Sequence, residues 1–89
     1  MKTGIPELTL HFREGCHLCE DMEQLLQELL EPDSYTLRRI DIDSNPHLTN
    51  AYNVRVPVLS CGEIELCEHF LDLDAVRSAL SSYNKGSTP

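Results

Sequence analysis

The sequence predicts an α/β fold with the element order β-α-β-α-β-β-α and a four-stranded mixed sheet, and three observations carry that expectation. Apolar residues alternate through Leu8, Leu10 and Phe12 and then, from Cys16, switch to a helical stripe. A second strand-like run, YTLRRIDID, leads into Asp43-Ser44-Asn45-Pro46, which has the composition of a helix start. Two more strand-like runs then flank Ser60-Cys61-Gly62 and give way to an amphipathic stretch that Asp72 can cap.

In the first strand Leu8, Leu10 and Phe12 alternate with Thr9, His11 and Arg13, a period of two. Glu7, Thr9 and His11 then form a polar face on a strand that should be central. Either a short second helix leaves part of that face wet, or His11 is hydrogen-bonded beneath it. In the first helix Leu18, Met22, Leu25, Leu26, Leu29 and Leu30 fall on one stripe, and Pro32 ends it. Glu20, Asp21 and Glu23 crowd its first turns, where the positive end of the helix dipole favours acids.

The second strand holds a conflict: Leu37 is out of phase with Ile40 and Ile42, which requires a bulge or burial on both faces. Leu48, Ala51 and Tyr52 supply the apolar face of the second helix. VRVPVLS and EIELCEHF read as a hairpin whose turn occupies Ser60, Cys61 and Gly62, the glycine being free to take a positive φ. Leu73, Val76, Ala79, Leu80 and Tyr83 recur at helical spacing in the last element. A right-handed crossover joins the first two strands in parallel, the hairpin adds antiparallel strands, and helices must cover both faces.

The chain has 89 residues, enough for one small domain over 1–89, with a polar tail from Asn84 to Pro89 expected to fray. Hydrophobic residues make up 40% and charged residues 25%, which excludes a disordered chain. Fifteen acids against seven bases give a net charge of −8, the wrong sign for nucleic acid or an anionic membrane surface. No apolar run reaches the ~20 residues of a membrane span, and Met1 to Pro6 lacks the apolar core of a secretory signal. A cytoplasmic monomer is the expectation. There, neighbouring cysteines bind metal or do redox chemistry more often than they form a structural disulfide scaffold.

A C-x-x-C segment, Gly15-Cys16-His17-Leu18-Cys19, opens a helix directly after the first strand, and an isolated proline, Pro57, stands in the third. GCHLC at 15–19, IDIDSNPHLTNAYNVRVPVL at 40–59 and the hairpin that follows together resemble the thioredoxin fold. The short length and the Cys-His-Leu-Cys centre look most like the small bacterial glutaredoxin-like proteins. The resemblance implies a sheet of order 2-1-3-4 with three helices on both faces, and a cis peptide between Val56 and Pro57. It also implies electron transfer through a redox-active Cys16–Cys19 disulfide. No bound cofactor is expected; glutathione or a thioredoxin-reductase-type flavoprotein would donate electrons.

The chain departs from the pattern of the proteins it resembles at defined places. Glu68-His69-Phe70-Leu71-Asp72 stands where glutathione-binding glutaredoxins carry Gly-Gly followed by acids. Glu14 lies where glutaredoxins place a basic residue, with Arg13 one step further away. Gly15 and Leu10 take the places of the tryptophan and the buried acid of typical thioredoxins.

The chemistry follows from thiol acidity. A thiol of pKa about 8.5 must be stabilised as thiolate to attack, and unpaired N–H groups at a helix N-terminus supply that stabilisation to Cys16. Cys16 is thus the expected nucleophile and Cys19, one turn inside the helix, the resolving thiol. His17 can tune the thiolate, whereas Glu14, Glu20 and Asp21 oppose it. Gly15 turns the chain and exposes the sulfur, Leu18 offers an apolar contact, and the backbone of Val56 beside Pro57 can pair with an extended substrate.

The expected partners are a disulfide-containing protein or small thiol substrate and a reductase or glutathione. Cys61 and Cys67 are expected to be incidental thiols, with Cys67 and Leu66 on opposite faces. The alternatives are metal binding and a non-catalytic interaction module. C-x2-C-x41-C-x5-C, with His17, His47 and His69 in reserve, could hold zinc, and an iron-sulfur carrier is the other metal case. The leucine-rich helix behind Cys19 favours a chain that folds without metal.

Overall fold

The computed structural model describes residues 5–86, and side chains as far as residue 82. Strand β1 (Glu7–Phe12) is the axis of the sheet because both its edges are paired. On one side it runs parallel to β2 (Thr36–Asp41), reached through helix α1 (His17–Leu29). On the other it runs antiparallel to β3 (Val58–Cys61), which pairs in turn with β4 (Ile64–Glu68). A 3-10 turn (Ile42–Ser44) and helix α2 (Pro46–Tyr52) connect β2 to β3, and α3 (Leu73–Gly86) follows β4. The order β2-β1-β3-β4 and the succession β-α-β-α-β-β-α are those expected.

Alternation in β1 sends Leu8 and Leu10 to one face, where they meet Leu59 of β3, Met22 and Leu26 of α1, and Val76 and Leu80 of α3. Helices α1 and α3 therefore cover the same face. The opposite face carries His11, whose ring stacks on Tyr52 at the end of α2, with centroids 4.1 Å apart and planes 16° apart. Glu7 at the far end of that face is exposed. The short second helix thus covers only part of the polar face. His11 is buried to 9% exposure by stacking and not by a hydrogen bond: its Nδ1 has no partner among the described residues.

Several local expectations are corrected. In α1 the buried residues are Cys19, Met22 and Leu26, followed by Leu30, while Leu18, Leu25 and Leu29 stay exposed. Six apolar positions overfill one helix face, and the sheet takes the side centred on Met22 and Leu26. Ile42 lies beyond β2, in the 3-10 turn. Leu37 faces the main core and Ile40 shares the His11 face, so β2 needs no bulge. In α2 Leu48 and Tyr52 are half-buried, but Ala51 is exposed.

The third strand starts only at Val58, after Pro57, so the proline disturbs no ladder even though β3 is central. The hairpin turn is Gly62-Glu63, with Cys61 opposite Ile64 and Gly62 at φ 62°. The bulge lies in β4. Leu59 faces Cys67 while Ser60 faces Glu65, which leaves Leu66 as the extra residue. Leu66 and Cys67 consequently pack against the same core instead of opposite faces. The fourth strand ends at Glu68, before His69 and Phe70. Asp72 caps α3 through the Ala75 N–H at 3.1 Å. That helix runs through Gly86, so Asn84 to Gly86 are helical; the rest of the tail and the side chain of Tyr83 lie outside what is described.

Two outcomes test this packing. Leu26→Ala should cost about 2–5 kcal/mol in urea unfolding and Leu25→Ala less than about 1 kcal/mol; equal losses would refute the orientation of α1. His11 is the second probe. Burial pushes its imidazole below the ordinary value, with the Glu65 carboxylate acting in the opposite sense. The unfolded chain therefore takes up a proton that the folded chain resists, and stability is lost as pH falls below about 6.5 toward the lower folded value. His11→Phe keeps a ring on Tyr52 and removes the proton site. Its urea midpoint should fall less than that of the parent between about pH 7 and pH 5, and an equal fall would contradict the assignment.

Candidate functional site

Phe12 ends β1, and the chain turns through Gly15, which adopts φ 78°. No atom lies within 4 Å of where a Cβ on Gly15 would stand, so the backbone conformation, and not lack of space, selects glycine. The turn is closed by the Cys16 N–H donating to the Arg13 C=O at 3.3 Å. Cys16 is the N-cap of α1. Its Sγ accepts the Cys19 N–H at 3.0 Å, and its C=O accepts the Glu20 N–H at 3.1 Å. A sulfur thereby occupies the place usually taken by a serine or aspartate oxygen.

Cys16 and Cys19 are joined as a disulfide with their Cα atoms 5.2 Å apart. Cys16 is half-buried, whereas Cys19 is only 3% exposed behind it. His17 and Leu18 stand exposed on the first turn, beside exposed Glu14, Glu20 and Asp21. A small cleft lined by Phe12, Arg13, Glu14, Gly15, Glu20, Glu23 and Arg39 reaches Cys19. Glu23 and Arg39 pair at 3.0 Å, and the Arg39 guanidinium lies 4.4 Å from the centre of the Phe12 ring.

The register of the sheet brings the second half of the site alongside. His11 is opposite Val58, so the start of β3 lies beside the end of β1, at the same edge from which Cys16 emerges. The Val56–Pro57 peptide is cis and Pro57 is buried. Val56 is half-buried, and its N–H and C=O enter none of the backbone hydrogen bonds found among the described loop residues.

Side chains to which the sequence reading assigns no part in the thiol chemistry hold this second half. Arg13 donates from Nε and Nη2 to the two carboxylate oxygens of Asp43, at 2.9 and 3.0 Å, and from Nη1 to Asn53 Oδ1 at 3.0 Å. The Arg13 guanidinium, through these hydrogen bonds, holds the Asp43 carboxyl below the usual range. Thr49 Oγ donates to the Ile42 C=O at 2.7 Å, which fixes α2 against the 3-10 turn. Arg55 bridges Glu65 and Glu68 and lies 5.6 Å from the centre of the Tyr52 ring. His69, at φ 69°, donates its backbone N–H to the Pro57 C=O and places its ring Nε2 against the Val54 C=O, both at 2.8 Å. Arg13 could have been singled out by its nearness to Cys16; nothing linear links it to Asp43, thirty residues on.

The four cysteines do not converge. Cys61 is in register with Leu8, whereas Cys16 follows Phe12, and the four residue steps from Leu8 to Phe12 span about 13 Å. Cys61 and Cys67 are free and half-buried, and burial raises the Cys67 thiol above its ordinary value. Among the described residues no three His, Cys, Asp or Glu side chains are gathered as a metal site.

No functionally curated protein matches the chain. Among solved structures it is similar to the solution structure of protein Ne2328 from Nitrosomonas europaea, with 42% identity over 89% of this chain and 95% of that one and a TM-score of 0.76. It is also similar to the crystal structure of protein XcR50 from X. campestris, with 31% identity over 84% and 96% and a TM-score of 0.64. Thioredoxin 1 from Thermosipho africanus, at 18% identity over 93% and 99% with a TM-score of 0.61, shares the fold. The glutaredoxin-like domain (DUF836) matches residues 7–81, a span that holds both cysteines of the disulfide, Pro57 and His69, and the chain belongs to that family.

Proposed function

We propose that this protein is a small dithiol-disulfide oxidoreductase that uses Cys16 as nucleophile and Cys19 as resolving thiol. One observation carries the proposal: the Cys16–Cys19 disulfide stands at the N-terminus of α1, with the Cys19 N–H directed at Cys16 Sγ. In the reduced protein the same N–H and the helix dipole would favour a Cys16 thiolate. His17 on the first turn would add to that effect, and Gly15 and Leu18 would border the approaching disulfide.

The Cys16 thiolate attacks one sulfur of a substrate disulfide, forms a mixed disulfide and expels the first substrate thiolate, which takes a proton from solvent. Cys19 then loses its proton and attacks Cys16 Sγ. The Cys16–Cys19 bond forms, the mixed disulfide breaks, and the second substrate thiolate leaves. Two electrons have passed from the dithiol to the substrate. An extended substrate would pair with the backbone of Val56, left open beside Pro57.

The dithiol is regenerated by glutathione or by a thioredoxin-reductase-type flavoprotein, with no cofactor held on the chain. Arg13, the cation nearest Cys16 in sequence, is already engaged by Asp43, which supports the flavoprotein over an anionic thiol. The reading places the protein as a monomer in a reducing cytoplasm, acting on protein or small-molecule disulfides. No described helix is long and apolar enough to cross a membrane.

Cys16→Ser should abolish reduction of a disulfide substrate. Cys19→Ser should retain attack but stop at the mixed disulfide, seen as a mass adduct on Cys16, while Cys61→Ser and Cys67→Ser should keep the parent rate. Reduction by Cys16→Ser at the parent rate would end the oxidoreductase proposal. A coupled assay offering each donor in turn identifies the reductant.

A further inference from the structure

Resting on the oxidoreductase reading, we propose that His69 is a positioning residue that holds the segment before Pro57, a turn over residues 53–55 followed by Val56, so that the backbone of Val56 stays open to a substrate. Its backbone N–H holds the Pro57 C=O and its ring holds the Val54 C=O, each at 2.8 Å. A carbonyl only accepts, so Nε2 carries the hydrogen. One residue thereby grips both ends of the four-residue stretch Val54–Pro57.

The backbone of His69 shows what this grip requires. Among the described residues it alone, apart from glycine, has a positive φ, at 69°. Glycine would adopt that conformation without steric conflict. The imidazole is accommodated there and makes a bond that glycine cannot, which connects the strained conformation to a purpose.

The neighbouring residues are tied as well. Arg13 binds Asn53 through its side-chain and backbone oxygens, and Arg55 is held by Glu65 and Glu68 and donates its N–H to the Tyr52 C=O. Residues 53, 54, 55 and 57 are each fixed, and the backbone groups of Val56 are left for an incoming chain. Val54, at 81% exposure, and Phe70, which follows His69 and is 71% exposed, are apolar side chains open to solvent. A polypeptide laid along Val56 pays little ordering entropy on the protein side, so the arrangement favours extended polypeptide disulfides over small ones.

The test uses the full chain as parent, His69→Gly and His69→Gln, with two probes: insulin as a polypeptide disulfide and a bis-aryl disulfide too small to lie along Val56. Glycine takes the backbone conformation without the ring, so His69→Gly should melt no lower than the parent. It should reduce the aryl disulfide within about twofold of the parent, while its KM for insulin rises about tenfold with little change in kcat, as the segment loses the hydrogen bond that holds it. Gln, whose amide N–H reaches the Val54 C=O, should restore most of the insulin KM. Parent kcat/KM on insulin in His69→Gly, or an equal loss on both probes, would overturn the inference while leaving the oxidoreductase reading intact. A parent that reduces neither probe overturns both.

Discussion

The atom that caps α1 is the atom that would do the chemistry. Cys16 Sγ accepts the Cys19 N–H, so the start of the helix, the satisfaction of one of its unpaired donors and the placement of the reactive sulfur are one interaction. Everything around it keeps that cap in place. Gly15 turns the chain out of β1 at a positive φ, and the two-sided pairing of β1 fixes where the turn stands. Burial of Met22 and Leu26 against Leu8 and Leu10 sets the axis of the helix whose end bears the sulfur.

The part of this design that periodicity and punctuation encode was legible in the sequence. Alternation gave β1, the change of period at Cys16 gave α1, and Asn45-Pro46 and Asp72 marked the starts of α2 and α3, where the structure finds their side chains capping. Sites where two patterns compete were not legible. Six apolar residues on α1 allow more than one face, and only the sheet decides that Met22 is inside and Leu25 outside. The bulge at Leu66 was hidden because strict alternation assigns Leu66 and Cys67 to opposite faces, and one unpaired residue reverses that.

The candidate site divides in the same manner. Cys16, Cys19 and Pro57 declare themselves by residue type and spacing. Arg13, Asp43, Asn53 and His69 do not, because their partners are set by the sheet register and lie between 12 and 40 residues away. His69 is a further step from legibility: a histidine is not the residue that a left-handed backbone position suggests.

These hidden residues act on geometry more than on stability. Exposed ion pairs such as Arg13–Asp43 contribute little to folding free energy, so their consequence lies in where they hold the chain. Arg13 joins the Cys16 turn, through its own C=O, to Asn53 of the opposing loop, through its guanidinium. The two halves of the site, which the sheet brings only to a common edge, are thus linked by one residue. The same bond occupies that guanidinium with Asp43, so under the proposed chemistry the helix end and the Cys19 N–H, with His17 beside them, would have to stabilise charge on Cys16 against the acids Glu14, Glu20 and Asp21. On the proposed mechanism the reactivity of the sulfur would therefore rest mainly on backbone dipoles set by the fold, while side-chain charge holds the surface that would receive the substrate.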